Sequence, residues 1–175
     1  MKIKKTILIV LILSLLVLVF SGCGGLVTPG ISGYYNLLHK YSGKYVCTGD
    51  ILNGGNIFIW GPIPTGHEDR YKFDFISTGD GYYNLLHKYS GKYVCTGENF
   101  NGGNIHIWGP IPTGHEDRYK FELISTGDGY YNLLHKYSGK YVCTGNTTDG
   151  GNIFIWGPIP TGHEDRYKFE LISNP

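Results

Sequence analysis

From Tyr34 onward the chain spells one unit three times. "YYNLLHKYSGKYVCTG" opens at Tyr34, again at Tyr82 and again at Tyr130, a period of 48 residues. "NGGNIFIWGPIPTGHEDRYKF" starts at Asn53 and returns from Asn101 with His106 in place of Phe58. From Asp149 it returns with only its first residue changed. Within a unit nothing repeats with a helical period. "YYNLLHKY" is aromatic and leucine-rich, "SG" turns the chain, "KYVCT" is a short strand, "NGG" turns again, and "NIFIW" alternates with period two. "GPIPTG" interrupts any ladder because proline lacks the N–H; "RYKFDFIS" then alternates and "TGDG" leads into the next copy. This spacing predicts four short strands per unit and an all-β fold.

Three units of this length restrict the architecture. A period between about 20 and 50 residues belongs to solenoids, propellers or other closed arrays. Propellers need about four to eight blades. Solenoids need atypical polar end repeats, whereas the first and last copies here match the middle one. Closure on a pseudo-threefold axis remains: a β-trefoil, whose sheet leaves no long unpaired edge. The expected domain covers residues 34–175, as repeats 34–81, 82–129 and 130–175. Alternation in the first repeat points Tyr35, Leu37, Val46, Ile57, Ile59, Tyr71 and Phe73 inward, and His39, Lys40 and Tyr41 are expected at the top of the first hairpin.

Residues 1–22 read as a signal peptide. "MKIKK" is a positive n-region, and "TILIVLILSLLVLVF" is an uncharged apolar run shorter than the roughly 20 residues that span a bilayer. "VFSGC" resembles the lipobox of prokaryotic lipoproteins, with Phe20 where that motif usually has Leu. The resemblance implies acylation of Cys23, a lipid anchor in the membrane, and a domain at the cell surface or otherwise outside the cytoplasm. Residues 23–33, "CGGLVTPGISG", are then a flexible Gly/Pro/Ser linker. Removing the leader takes 3 of the 15 basic residues, leaving 12 against 14 acidic ones and a net charge of −2. No basic stripe is present to neutralise phosphates, which argues against a nucleic-acid partner.

"LLHKYSGKYVCTG…NGGNIFIW…EDRYKF" resembles the repeat of ricin-type β-trefoil lectins, with their "SGK-x-L" turn, "I-x-L-W" strand and closing Gln-x-Trp. It is similar in particular to the mytilectin branch, where "HK-x-SGK" and a late His-containing acidic segment recur in three near-copies. The likeness runs over residues 34–175 and implies a glycan-binding protein, with galactose-type sugars as candidate ligands. Two departures bear on the sugar. Tyr71-x-Phe73 replaces Gln-x-Trp, and Cys47 stands where ricin-type sites carry a sugar-binding Asp and mytilectins a His.

Candidate binding residues follow from chemistry and from that likeness together. Trp60, Trp108 and Trp156 each end a strand before Gly-Pro, where an indole can lie open and stack on the C–H face of a sugar; the other reading closes the bottom of the barrel with them. Trp60 aligns with the aromatic platform of ricin-type sites. His67, Glu68 and Asp69, with His115, Glu116, Asp117 and His163, Glu164, Asp165, offer carboxylates that accept paired hydroxyl bonds and imidazoles that donate or accept. The resemblance favours these as sugar contacts; the plainer reading is an exposed turn in which Glu68 or Asp69 pairs with Arg70. Asn56, Asn104 and Asn152 are expected to add polar contacts. The copies differ most at residues 50–53, 98–101 and 146–149, where Asp50, Glu98 and Asn146 begin a loop that either drifts freely or rims the pocket. His106 is expected on an outward-facing strand position.

Catalytic, metal and cofactor chemistry find little support. Glu68 and Asp69 are neighbours on one turn, whereas glycosidase carboxylates flank a bond from about 5–9.5 Å apart. Cys47, Cys95 and Cys143 lack the close Cys partners of a zinc site and read as space-filling thiols. The expectation is a non-enzymatic lectin without cofactor or metal, monomeric, with up to three equivalent sites. The competing reading is a protein-binding or structural surface module, in which the tryptophans and "GHED" segments are buried or internally paired.

Overall fold

The computed structural model describes residues 30–174. The expected signal peptide, Cys23 and the linker as far as residue 29 lie outside the described residues. The compact unit begins at Ile31, which packs against the core. The first repeat contains β1 (Tyr34–His39), β2 (Lys44–Cys47), β3 (Gly55–Asn56), β4 (Phe58–Trp60), a 3-10 turn at Glu68–Tyr71 and β5 (Phe73–Ser77). The second contains β6 (Tyr83–His87), β7 (Lys92–Cys95), β8 (Gly103–Asn104), β9 (His106–Trp108), a 3-10 turn at Glu116–Tyr119 and β10 (Lys120–Ser125). The third contains β11 (Tyr131–His135), β12 (Lys140–Cys143), β13 (Gly151–Asn152), β14 (Phe154–Trp156), a 3-10 turn at Glu164–Tyr167 and β15 (Phe169–Ser173).

Closure is carried by backbone pairing between repeats. β5 pairs antiparallel with β6, and β10 with β11. β15 returns to β1 in the same register, His39 opposite Phe169 and Tyr35 opposite Ser173. Inside each repeat the first and last strands also meet, as Tyr35 meets Phe73. The result is a six-stranded barrel of β1, β5, β6, β10, β11 and β15. It is capped by the hairpins β2–β4, β7–β9 and β12–β14. The protein is a β-trefoil.

One expected strand, "NIFIW", is broken in the structure. Its first half leaves its own repeat and pairs with the next one: β3 with β9, β8 with β14, and β13 with β4. At the break the isoleucines form a ring, Ile57 N–H donating to the Ile105 carbonyl, Ile105 to Ile153, and Ile153 to Ile57, at 3.4, 3.4 and 3.3 Å. Three equal donors and acceptors close only as a cycle, so no edge remains there for another strand to join.

The core follows the alternation. Leu37, Val46, Ile57, Ile59, Tyr71 and Phe73 are buried, while Tyr35 is half-buried and lies edge-on to Phe75. His39 departs from expectation: the sequence puts it at a hairpin top, and the structure buries it completely, as it does His87 and His135. The ring satisfies both nitrogens. Nε2 of His39 lies 3.0 Å from the Arg166 carbonyl and Nδ1 lies 2.9 Å from Ser42 Oγ. A carbonyl only accepts, so Nε2 carries the proton and Nδ1 accepts from the hydroxyl. The same pair of bonds ties His87 to Arg70 and Ser90, and His135 to Arg118 and Ser138. Each histidine thus joins a hairpin to the 3-10 turn of the preceding repeat.

Candidate functional site

Three equivalent depressions open on the surface, one per repeat. The first is lined by Cys47, Thr48, Gly49, Phe58, Trp60, Pro64, His67, Arg70 and Tyr71, with a volume of ≈ 250 Å³. The depressions at Trp108 and Trp156 measure ≈ 290 and ≈ 210 Å³ and are lined by the equivalent residues, His106 replacing Phe58 in the second. Trp60 is 41% exposed, Trp108 40% and Trp156 39%, so the indoles face out of the barrel and do not close its bottom. Phe58 meets Trp60 edge-on at 6.2 Å, as Phe154 meets Trp156, and His106 meets Trp108 at 6.1 Å. An aromatic neighbour held edge-on restrains the platform.

The base is inert. Cys47 is buried against the Tyr71 hydroxyl, and loss of water pushes both groups up to about 12. Cys95 with Tyr119 and Cys143 with Tyr167 behave in the same way. A thiol that stays protonated is a poor nucleophile and a poor metal ligand. Among the described residues no three His, Cys, Asp or Glu side chains converge to hold a metal ion.

The "GHED" segment divides. Arg70 N–H donates to the His67 carbonyl three residues back, and in a 3-10 turn residues three apart lie above one another. His67 and Arg70 therefore line the Trp60 depression and also border a neighbouring hollow, where Glu68, Asp69, Lys72 and Tyr89 join them; the two acids do not line the Trp60 side. The acids are engaged there. Glu68 Oε1 accepts from Gly66 N–H at 2.9 Å, and that backbone bond holds its carboxyl below the ordinary range. Glu116 and Glu164 bond Gly114 and Gly162 likewise. Asp69 sits 3.2 Å from Lys88 Nζ and 3.5 Å from Lys72 Nζ, and Lys88 above all lowers its carboxyl. Asp117 pairs with Lys136, and Asp165 with Lys40 and Lys168. The Arg70 pairing of the plainer reading does not form, and the acids pair with backbone N–H and lysines instead.

The remaining candidates divide by repeat. Asp50 and Asn56 do not line the Trp60 depression. Both are exposed, Asp50 packs beside Gly55, and Asn56 lies opposite His106 of the second repeat. Glu98 Oε2 accepts from Asn104 N–H at 2.6 Å, and Asn146 packs beside Gly151. Because "NGG" crosses to the next repeat, the loop beside each indole comes from its neighbour. A side chain at Gly54 would meet Trp108, one at Gly102 would meet Trp156, and one at Gly150 would meet Trp60. Beside each indole, Asn53 Oδ1 accepts from Gly109 N–H, Asn101 Oδ1 from Gly157 N–H and Asp149 Oδ1 from Gly61 N–H. Asn56, Asn104 and Asn152 accordingly pair across the repeat boundary, opposite His106, Phe154 and Phe58.

Sequence reasoning overlooked Arg70, Arg118 and Arg166 as site residues. Each guanidinium stacks on a tyrosine of the following repeat, Arg70 on Tyr89 at 5.0 Å and Arg118 and Arg166 on Tyr137 and Tyr41 at 5.1 Å. Gly49 lies beside the guanidinium: a Cβ there would stand 3.4 Å from Arg70 Nη1, at contact distance. The available signal was the three-residue spacing from His67, legible only once the segment is known to be a 3-10 turn.

A closed threefold barrel with aromatic-walled surface pockets defines the β-trefoil lectin class. Residues 69–156 match the profile of the ricin-type beta-trefoil lectin domain-like family, and the chain belongs to that family. This membership supports carbohydrate binding in general and suggests a non-enzymatic role. No curated protein sequence matches the chain. Among solved structures it is similar to ThreeFoil, a designed threefold-symmetric protein, at 28% identity and a TM-score of 0.71, over 81% of this chain and 99% of that one. It shares its fold with the Rhizoctonia solani agglutinin (18% identity, TM-score 0.67, 82% of this chain and 96% of that one). It also shares it with an exo-beta-1,3-galactanase from Clostridium thermocellum (22%, 0.69, 82% of this chain), of which it covers only 30%.

Proposed function

We propose that the chain is a non-catalytic, glycan-binding surface lipoprotein, held in the membrane through acylated Cys23 and presenting up to three sugar sites. The observation that carries the reading is the outward indole of Trp60, Trp108 and Trp156 at the mouth of three matching depressions. A pyranose stacks on the indole while His67 and its equivalents bond its hydroxyls. The depressions are smaller than the roughly 300–1,000 Å³ of drug-sized pockets, which suits one sugar unit each. Single sugars held this way bind weakly, and three tethered sites raise avidity by about 10²–10⁴ on a clustered target. The absence of catalysis is part of the proposal: Glu68 and Asp69 are committed to Gly66 and to lysines, and no second carboxylate faces either across a cleft among the residues lining the depressions.

The test uses the full chain in a non-glycosidic detergent on a glycan array, with tryptophan fluorescence titrations in solution, galactosides among the ligands. Binding of at least one glycan with a change in indole emission is expected, together with its loss in the Trp60→Ala/Trp108→Ala/Trp156→Ala variant. An array without a single bound glycan would leave the competing protein-binding reading in possession. Labelling of wild type but not Cys23→Ala by radioactive fatty acid checks the anchor.

A further inference from the structure

The depressions carry an unmatched positive charge. No ion pair among the described residues involves Arg70, Arg118 or Arg166, although lysines around them are paired. The Nε of Arg70 and of Arg166 is buried without a hydrogen-bond partner. A buried donor left unmade is costly, more so on a charged group, and such groups in a native fold call for an explanation. Meanwhile no Asp or Glu lines any of the three tryptophan depressions. The nearest acids are spoken for: Glu68 by Gly66, Asp69 by Lys72 and Lys88, and Asp149 by Gly61 N–H and Lys44 Nζ at 2.7 Å. Each tryptophan depression thus joins an aromatic platform, an imidazole and a guanidinium outside any ion pair; the carboxylates nearby, Glu68 and Asp69 in the hollow that Arg70 also borders and Asp149 beside Gly61, are held by backbone N–H groups and lysines.

We propose that these sites select sugars bearing a carboxylate, uronic or sialic acid units, which Arg70, Arg118 and Arg166 bind through their planar fork. The inference rests on the glycan-binding reading above and narrows it to a ligand class. A guanidinium presents parallel N–H donors that match the two oxygens of a carboxylate. Stacking on Tyr89, with Gly49 leaving room at Nη1, holds the fork in place before any ligand arrives, so little side-chain freedom is lost on binding. The sugar ring lies on Trp60 while its carboxylate meets the Arg70 and His67 side of the same hollow.

The experiment compares each acid with its own methyl ester, which keeps the ring and removes the charge. The full chain in non-glycosidic detergent is titrated by indole fluorescence with galacturonic, glucuronic and N-acetylneuraminic acids, their methyl esters, the parent hexoses and a sulfated hexose. At least one acid is expected to bind about tenfold or more tightly than its ester, with the ratio shrinking in high salt. In Arg70→Gln/Arg118→Gln/Arg166→Gln the ratio falls to near one, and the triple Lys variant retains part of it, having charge without the fork. The wild-type comparison stands even if a variant fails to fold. Esters or hexoses binding as tightly as the acids overturn the inference and leave the lectin reading intact, and so does binding of the sulfated sugar without the carboxylated ones. Failure of every sugar, acidic and neutral, removes the lectin reading and this inference together.

Discussion

Acidification from neutral pH to pH 5 should loosen the fold through His39, His87 and His135. All three are fully buried and neutral, and loss of water lowers their proton affinity despite the carbonyl bond and a nearby Asp. His135 is brought down to about 4 from an ordinary 6.5. In the unfolded chain it protonates near 6.5, so between 6.5 and 4 the unfolded state binds more protons. Its contribution to stability is therefore complete above pH 6.5 and is lost as the pH falls toward 4. From pH 7.5 to 5 that loss is about 2 kcal/mol for His135 alone, and His39 and His87 add to it in the same direction. Half-buried His106, lowered mainly by loss of water, adds a smaller share. The depressed carboxyls of Glu68, Glu116, Glu164, Asp69 and Asp149 act only below their ordinary 4.5 and 3.8, outside this window. Urea unfolding followed by tryptophan fluorescence at half-unit steps reads the effect. With a urea dependence of about 1–3 kcal/mol per molar, the midpoint should fall by roughly 1 M from His135, and further in the same direction from His39 and His87. His135→Gln should unfold more readily at pH 7.5 and show a shallower pH slope. A midpoint flat between pH 7.5 and 5, or a slope unchanged in His135→Gln, would refute the assignment of buried neutral imidazoles.

Ile107→Ala, at a position with 0% exposure in the capping hairpin, should lower unfolding stability by about 2–5 kcal/mol in the same urea assay. Asp149→Asn should leave the unfolding midpoint close to that of wild type, because Asn53 and Asn101 already accept the equivalent glycine N–H at the other two junctions; a clear drop in thermal or urea unfolding would show the Lys44 ion pair to be essential. Cys47, Cys95 and Cys143, buried and pushed up to about 12, should resist a chromogenic thiol reagent at neutral pH and all react once urea unfolds the chain.

Architecture was legible because it follows from symmetry. Three matching units with four strands each leave few ways to bury their apolar faces, and the alternation in "NIFIW" and "FDFIS" fixes which side faces in. Trp60 could be placed at a strand end but not in or out, since a strand end faces both ways. His39 was misplaced because "HKYSG" reads as a polar hairpin tip, and only the closed barrel brings the Arg166 carbonyl, 127 residues away, within reach of its ring. The "GHED" residues read as one polar cluster for a similar reason. Sequence neighbours on a 3-10 turn point in different directions, so His67 reaches the indole while Glu68 folds back on Gly66. Asn56 was expected beside Trp60, but the strand break at Ile57 carries β3 across to pair with β9 of the second repeat, and that crossing has no signature within one 48-residue unit.

That crossing bears on why three copies exist at all. The candidate site at Trp60 takes its pocket wall from the first repeat, its flanking Asp149 and Gly150 from the third, and the tyrosine beneath Arg70, Tyr89, from the second. The other two sites rotate the same division of labour: Asn53, Trp108 and Tyr137, then Asn101, Trp156 and Tyr41. No single repeat therefore contains a site, and two repeats would leave each indole or each guanidinium without its neighbour. Closure and pocket formation are one event. A substitution that weakens the β1–β15 seam should disturb the Trp60 and Trp156 pockets first, because each has a contact made directly between the third repeat and the first, Asp149 to Gly61 and Arg166 to Tyr41, whereas both such contacts at Trp108 involve the second repeat.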